Sequence, residues 1–162
     1  MATTEVGVDP LALERQVCFA LAISNRAVLA VYRPLLEPLG LTHPQYLVML
    51  ALWDHHRSHA SGAPPLSVKQ IATALQLDSA TLSPMLKRLE ALGLITRTRS
   101  ASDERATDIG LTADGVALRE RALQIPPAVV ARLGVSLPEL EELHRVLTRI
   151  NAAALAANTL TD

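Results

Sequence analysis

Residues 67–111 read SVKQIATALQLDSATLSPMLKRLEALGLITRTRSASDERATDIGL, and this stretch decides the fold. Ser67 and Gln70, three residues apart, form the capping-box pattern that begins a helix. Apolar residues then recur at i, i+3, i+4 and i+7, the spacing of one helix face: Val68, Ile71, Ala72 and Leu75. After the link 77–79, a second helix carries one apolar stripe: Leu82, Met85, Leu86, Leu89 and Leu92. Two short helices joined by about four residues predict a helix-turn-helix.

The residues after the second helix predict a β-hairpin. Gly93 stops the helix, and residues 95–99 and 106–111 then alternate with the period of a strand. Residues 100–105 form a polar loop between these two strands. Helix, helix and hairpin together make a winged helix-turn-helix, which we assign to residues 66–111.

The N-terminal segment, residues 11–55, is predicted to form two helices. The first covers residues 11–33, contains no Pro or Gly, and is apolar almost all round, so we expect it to be buried on most sides. The second is capped by Thr42 and covers residues 44–55.

The C-terminal segment, residues 112–158, is also predicted to form two helices. Thr112 caps the first, which should end before Pro126. Ser136 and Glu139 form a capping box for the last helix. Its apolar residues follow spacings of 3, 4, 3 and 4, the seam that two helices share: Leu140, Leu143, Leu147, Ile150 and Ala154. The seam could serve an intramolecular pair, but together with the apolar first helix it favours a homodimer built from both chain ends.

The chain as a whole, residues 1–162, is therefore predicted to be a single mostly α domain with a small β wing. An apolar fraction of 49% and a charged fraction of 19% argue against disorder. The single cysteine excludes an internal disulfide framework and fits the reducing cytoplasm. The short apolar runs and the polar start predict no membrane partner and no signal peptide. A net charge of −1 gives no support for nucleic-acid binding by itself, so that inference must come from local pattern.

The second helix of the helix-turn-helix offers a slim face that suits a DNA major groove. With Leu82 pointing inward, the opposite face and its flanks are small, polar or basic. We assign to DNA contact Ser79, Ala80, Thr81, Ser83, Pro84, Lys87 and Arg88. Pro84 suggests that this helix begins late or kinks, because an interior proline removes a helix hydrogen bond.

Basic residues in the hairpin extend this candidate DNA-binding surface beyond the helix. Lys87, Arg88, Arg97 and Arg99 are opposed only by Glu90 between residues 87 and 99. In the wing loop, Asp103 and Arg105 are further candidates, and Arg105 is expected either to be held by a carboxylate or to reach a minor groove. A merely solvated basic face is the alternative. Because this basic face occurs together with the helix pair and the wing, we favour binding of duplex DNA. If the protein is a dimer, the expected site is a pseudo-palindromic operator.

The predicted order of elements resembles that of the MarR family of dimeric transcription regulators. It begins with two N-terminal helices, continues with the helix-turn-helix and the wing, and ends with two C-terminal helices. Asp103-Glu-Arg105 matches that family's Asp-x-Arg wing element. Four further segments resemble its organic-hydroperoxide-sensing repressors, the OhrR subgroup: LERQVCFAL (13–21), YRPLL (32–36), LTHPQYL (41–47) and LDSATLSPMLKRL (77–89). The resemblance runs from about residue 11 to residue 125.

This resemblance implies a redox switch at Cys18. In that subgroup an organic hydroperoxide oxidises a reactive cysteine near the start of the first helix, and the repressor leaves its operator. The chain has no second cysteine, so it corresponds to the one-cysteine type, in which a low-molecular-weight thiol caps the sulfenic acid or the sulfur over-oxidises. Tyr32 matches a tyrosine that supports the thiolate in relatives, and His43 stands where a tyrosine is common. Ala22 replaces another residue that is usually aromatic.

Other interpretations remain open at this point. One alternative is that Cys18 is a buried core thiol, and another is that the regulator responds to a reversibly bound small ligand such as a phenolic compound. A thiol peroxidase using Cys18 is disfavoured, because no second cysteine and no other catalytic motif accompanies it, so we predict that the chain is not an enzyme and needs no cofactor. His55, His56 and His59 are interpreted as a solvated loop that binds no metal.

Overall fold

The structure is a computed structural model that describes residues 9–59 and 64–159. The helices of these residues are α1 (Val17–Leu36), α2 (His43–Ser58), α3 (Val68–Leu75), α4 (Ser79–Ala91), α5 (Ala113–Ala122), α6 (Ile125–Leu133) and α7 (Leu137–Thr159). The strands are β1 (Leu66–Ser67), β2 (Ile95–Arg99) and β3 (Thr107–Leu111). The prediction of a mostly α fold with a winged helix-turn-helix is confirmed.

The three strands form one antiparallel sheet in the order β1, β3, β2. The long hairpin pairs Ile95 with Leu111 and Arg99 with Thr107. Leu66 pairs with Ile109 on the other edge of β3. The sequence analysis missed β1, because two residues are too short to show a strand period.

The helix-turn-helix packs on α2 around one apolar core. Ser67 and Gln70 form the predicted capping box at the start of α3. The most completely buried side chains come from the end of α1 and from α2, α3, α4, β2 and β3: Leu36, Val48, Met49, Ile71, Leu82, Leu86, Leu89, Ile95 and Ile109. The apolar stripe predicted for α4 therefore faces the core, and its opposite face is left for solvent.

Trp53 and Gly115 fix α5 against the rest of this core. The indole Nε1 of buried Trp53 donates a hydrogen bond to the carbonyl oxygen of Gly115 at 2.8 Å. A Cβ at Gly115 would lie 2.0 Å from the carbonyl oxygen of Leu94, just before β2. Only glycine therefore lets α5 approach the base of the wing this closely.

Two helix boundaries differ from prediction near the N-terminus. The first α-helix begins at Val17 rather than Leu11, because Gln16 is extended and a 3₁₀ turn precedes it. It also continues past Pro34, whose missing N–H removes one helix hydrogen bond near the end. Thr42 caps α2 through a capping box with Gln45, as its position predicts.

Two further corrections concern prolines and histidines. Helix α4 is continuous from Ser79 and contains Pro84, so the predicted late start is wrong. Helix α2 runs to Ser58, three residues beyond its predicted end at His55, so His56 is helical rather than part of a loop. Residues 60–63 of the predicted loop lie outside the described residues.

The chain divides between Gln124 and Ile125 into two compact units. The second unit contains α7, which the Ser136–Glu139 capping box begins as predicted. It also contains α6, which was missed because Pro126 and Pro127 were taken as helix breakers. Both prolines lie in the first turn of α6, where backbone N–H groups have no helical partner to lose.

Helix α1 is the most apolar helix of the first unit and is exposed in the single chain. Leu36 is its one buried residue, whereas Val17 is 64% exposed and Leu21 is 40% exposed. By length and composition alone, Val17–Leu39 could cross a membrane. Helices of soluble proteins that pack against other protein surface share this composition, so this is weak evidence, and the absence of a membrane partner stays a prediction.

Candidate DNA interface and thiol site

The start of α4 is fixed by Asp78. Its carboxylate accepts hydrogen bonds from the backbone N–H of Thr81 at 2.7 Å and from the Thr81 hydroxyl at 2.9 Å. These two bonds, the backbone bond first, lower the pKa of Asp78. A charged cap at the helix N-terminus therefore orients the first turn of α4, where three of the predicted DNA-contacting residues lie.

The outer face of α4 has the composition and exposure that the sequence predicted. Six of the seven assigned residues are exposed: Ser79, Ala80, Thr81, Pro84, Lys87 and Arg88. Ser83 is half-buried. Neither Lys87 nor Arg88 forms an ion pair within the described residues, so both charges are available to a polyanion.

The wing loop is ordered by its own hydrogen bonds. The carboxylate of Asp103 accepts from the backbone N–H of Arg105 at 2.9 Å, and the Asp103 carbonyl accepts from Ala106. Ser100, which is buried, closes the base of the loop through its N–H to the Ala106 carbonyl and its Oγ to Ser102. Asp103 thus shapes the turn, while the exposed side chain of Arg105 makes no salt bridge within the described part of the chain.

Arg97 differs from the other cations of this surface. It lies 3.6 Å from the Glu90 carboxylate at the end of α4, and its side chain is 25% exposed. Its Nε is buried without a hydrogen-bond partner. Strand alternation explains this position, because Ile95, Arg97 and Arg99 point to the helix-facing side of the sheet, while Arg99 lies further out and is exposed.

A polar groove runs between the end of α4 and the outer half of the wing. Its lining residues are Glu90, Arg97, Thr98, Arg99, Glu104, Arg105, Ala106 and Thr107. From the sequence, Glu90 was predicted only as an opposing charge, and Thr98 and Thr107 were not predicted to belong to this surface. Residues of α4 and of the wing meet in this groove because of the angle at which β2 follows α4 after the turn at Gly93. No local sequence pattern reveals that angle.

Cys18 is the second residue of α1 and its side chain is exposed. The alternative of a buried core thiol is therefore wrong for the single chain.

Tyr32 and His43 lie together, but they are distant from Cys18 of the same chain. Their ring centroids are 5.0 Å apart in an edge-to-face arrangement, and Tyr46 joins the cluster at 6.1 Å from Tyr32. Burial lowers the pKa of His43, which favours the neutral form of its imidazole near pH 7. Fourteen residues of helix separate Cys18 from Tyr32, a distance of about 21 Å.

The histidines at the end of α2 form a pair. The ring centroids of His55 and His59 lie 4.6 Å apart. Within residues 9–59 and 64–159, no group of three or more His, Cys, Asp or Glu side chains could hold a metal ion.

A capped recognition-type helix with a free basic face, followed by an ordered wing, defines a winged-helix DNA-binding protein. The MarR family profile matches residues 41–107. The chain is 45% identical over 139 residues to the organic hydroperoxide resistance transcriptional regulator of Bacillus subtilis (strain 168), which covers 86% of this chain and 89% of that protein. The chain therefore belongs to the MarR family of transcription regulators, and it is a regulator rather than an enzyme.

Solved structures support the same assignment. Reduced AbfR of Staphylococcus epidermidis bound to DNA matches with a TM-score of 0.73 and 32% identity, over 89% of this chain and 93% of that one. CouR from Rhodococcus jostii RHA1 bound to p-coumaroyl-CoA matches with a TM-score of 0.68 and 25% identity, over 86% of this chain and 94% of that one. The predicted resemblance to the MarR family and to its hydroperoxide-responsive regulators is thus confirmed.

Proposed function

We propose that this regulator is a cytoplasmic homodimeric repressor that leaves its operator when an organic hydroperoxide oxidises Cys18. The observation that carries the proposal is the exposed sulfur of Cys18 in the first turn of α1. It occurs in a chain that is 45% identical to an organic hydroperoxide resistance regulator. AbfR has been solved in a reduced and in an overoxidised complex with DNA and in a disulfide form, so the similarity to it supports redox chemistry at a cysteine, whereas release from DNA rests on the experiment below.

The proposed chemistry begins with attack of the Cys18 thiolate on the terminal peroxide oxygen. The O–O bond breaks, the sulfur becomes a sulfenic acid, and the organic part leaves as an alcohol after taking up a proton. The chain contains no second cysteine. A low-molecular-weight thiol therefore displaces the sulfenic oxygen as water and forms a mixed disulfide, or further peroxide carries the sulfur to sulfinic acid.

The proposed dimer supplies what one chain lacks around this thiol. Tyr32 and His43 are too far along the same chain to reach Cys18, so we assign thiolate support to the pair from the other subunit. Helices α1 and α7 offer the surfaces for such an interface. Their exposed apolar side chains include Val17, Leu21, Ile23, Leu143, Leu147, Ile150 and Leu155.

On DNA, each subunit of the proposed dimer inserts α4 into a major groove and lays its wing along the adjacent backbone. The exposed polar residues of α4 then meet base edges and phosphates, and Arg99 and Arg105 reach phosphates or a minor groove. Two-fold symmetry gives a pseudo-palindromic operator with half-sites about one helical turn apart.

Release requires only a modest free energy. A 100-fold loss of operator affinity corresponds to about 2.7 kcal/mol. A polar, bulkier sulfur group inside an apolar interface disrupts packing and hydrogen bonds, which typically costs 1–3 kcal/mol for each unsatisfied group. Packed interfaces switch between discrete arrangements, so this local change can move the two recognition helices away from operator spacing.

The test compares the wild-type protein with Cys18→Ser on duplex DNA from upstream of its own gene. We expect both proteins to bind, and cumene hydroperoxide followed by a small thiol to release only the wild type. Dithiothreitol should restore binding of the wild type, and mass spectrometry should locate one thiol adduct on Cys18. Release of Cys18→Ser by the peroxide would refute the mechanism.

A second candidate function is regulation by a reversibly bound small ligand. The similarity to CouR in complex with p-coumaroyl-CoA favours this alternative. Such a ligand would act equally on wild type and Cys18→Ser, and dithiothreitol would not reverse its effect. The same binding assay, with p-coumaroyl-CoA in place of peroxide, therefore distinguishes the two functions.

A further inference from the structure

The end of helix α2 holds two histidine rings in a defined arrangement. His55 lies in the last turns of α2, and His59 follows directly after its last residue. Their ring centroids lie 4.6 Å apart with an angle of 37° between the ring planes. Each ring is also held by one hydrogen bond to a backbone carbonyl.

These two hydrogen bonds fix which nitrogen of each ring is free. The Nε2 of His55 contacts the carbonyl oxygen of Pro64 at 2.9 Å, and the Nδ1 of His59 contacts the carbonyl oxygen of His55 at 3.0 Å. A carbonyl only accepts, so both of these nitrogens must carry the hydrogen. In the neutral rings, Nδ1 of His55 and Nε2 of His59 are then left as unprotonated lone pairs.

This is the state in which histidines bind metals. A ligating imidazole characteristically donates its other N–H to a backbone carbonyl or carboxylate, which sets the tautomer and the ring orientation. With a metal–nitrogen distance of about 2.0–2.1 Å, a ring centroid lies about 3.2 Å from the metal. Two rings on one ion at angles of about 90–110° are then separated by about 4.5–5.2 Å. The observed separation of 4.6 Å falls in this range.

We propose that His55 and His59 form a two-histidine site for a divalent transition metal such as Ni²⁺, Cu²⁺ or Zn²⁺, with water completing the coordination. Imidazole nitrogen is a preferred ligand of these ions. The site lies at the C-terminal end of α2, where the partial negative charge of the helix favours a cation. The sequence favoured a solvated loop here, because the i, i+4 spacing of His55 and His59 does not by itself show that the two ring centroids lie 4.6 Å apart.

The metal would also act on the fold around it. His55 bonds to Pro64, which leads into β1, and β1 pairs with β3 of the wing. An ion held by His55 and His59 would therefore stiffen the connection between α2 and the wing sheet. This inference does not depend on the redox function, since it involves neither Cys18 nor the DNA-contacting face.

The experiment titrates Ni²⁺ into untagged full-length protein by calorimetry, in the Cys18→Ser background so that the thiol cannot contribute a ligand. We expect one ion per chain. His55→Gln and His59→Gln should each weaken binding by about tenfold or more. His56→Gln is the matched control, because residue 56 is turned about 100° away on the helix, and it should leave the affinity unchanged.

A measurement without substitution covers the case in which a histidine variant is unstable. Paramagnetic Ni²⁺ should broaden the NMR signals of His55 and His59 first, before those of His43 and His144. Equal loss of affinity in all three variants would overturn the proposal. First broadening at another site would overturn it as well, as would an absence of binding at millimolar Ni²⁺.

Discussion

The free charge of Lys87 and the paired charge of Arg97 lead to a quantitative prediction about DNA binding. Lys87 is exposed on α4 without an ion pair among the described residues, whereas Arg97 is half-buried and lies 3.6 Å from Glu90. A cation that is already neutralised displaces few counterions from DNA. Lys87→Gln should therefore reduce the salt dependence of operator binding, and Arg97→Gln should reduce it much less.

The expected magnitude follows from counterion release. Each phosphate contact contributes about 0.9 to the slope of log K against log salt concentration, so one contact in each subunit of the dimer contributes about 1.8. Between 1 M and 0.15 M salt, a slope change of 1.8 corresponds to about a 30-fold loss of affinity for Lys87→Gln, or about 2 kcal/mol. For Arg97→Gln we expect less than half of this slope change.

The assay is fluorescence anisotropy of a labelled duplex from upstream of the protein's own gene, titrated at several salt concentrations under reducing conditions. Glu90→Gln provides the matched control, because it removes the carboxylate and leaves Arg97 in place. In this background Arg97→Gln should produce a larger slope change than in the wild type. An equal slope change for Lys87→Gln and Arg97→Gln in the wild-type background would refute the reasoning.

Three further predictions test the fold and its titratable groups. Gly115→Ala should lower the melting temperature, because the new Cβ would lie 2.0 Å from the Leu94 carbonyl oxygen. Helix propensity alone predicts the opposite, a gain in stability of about 1 kcal/mol, so a raised melting temperature would contradict the close approach. Because the pKa of His43 is lowered in the folded state, the His43 side chain binds a proton more readily in the unfolded chain. The free energy of unfolding should therefore fall as the pH drops below about 6.5. In urea titrations, it should fall less between pH 7.5 and 5.5 for His43→Gln than for the wild type. Asp78→Ala should weaken DNA binding by fraying the start of α4, and Asp78→Asn, which keeps the cap for Thr81, should weaken it less in the same anisotropy assay.

The winged helix-turn-helix could be predicted from sequence because each of its parts is encoded locally. The 3.6-residue apolar period, the Ser67–Gln70 capping box and the alternating strands lie within windows of about ten residues. These signals also define the outer face of α4, so its exposed residues could be named before the structure was known. The assignment of those residues to DNA contact stays a prediction.

The parts that could not be predicted depend on contacts between distant residues or on exceptions to local rules. The Glu90–Arg97 ion pair depends on the angle between α4 and β2. The close approach of Gly115 to Leu94 joins residues on either side of the hairpin. Helix α6 was missed because two prolines usually stop a helix, and only their position in its first turn makes them harmless.

The Cys18 thiol lies on the same helix, α1, as the exposed apolar surface, so the effect of its oxidation depends on whether that surface is covered. In a single chain, oxidation of an exposed Cys18 would add a polar group to a surface that already faces water, which costs little free energy. In a dimer through α1, the same oxygen would enter a desolvated interface and leave an unsatisfied polar group in each subunit, costing about 2–6 kcal/mol for two sites at 1–3 kcal/mol each. That range includes the 2.7 kcal/mol needed for 100-fold release from DNA. The proposed peroxide response therefore requires the proposed dimer, and dilution to monomers should abolish DNA binding whether or not Cys18 is oxidised.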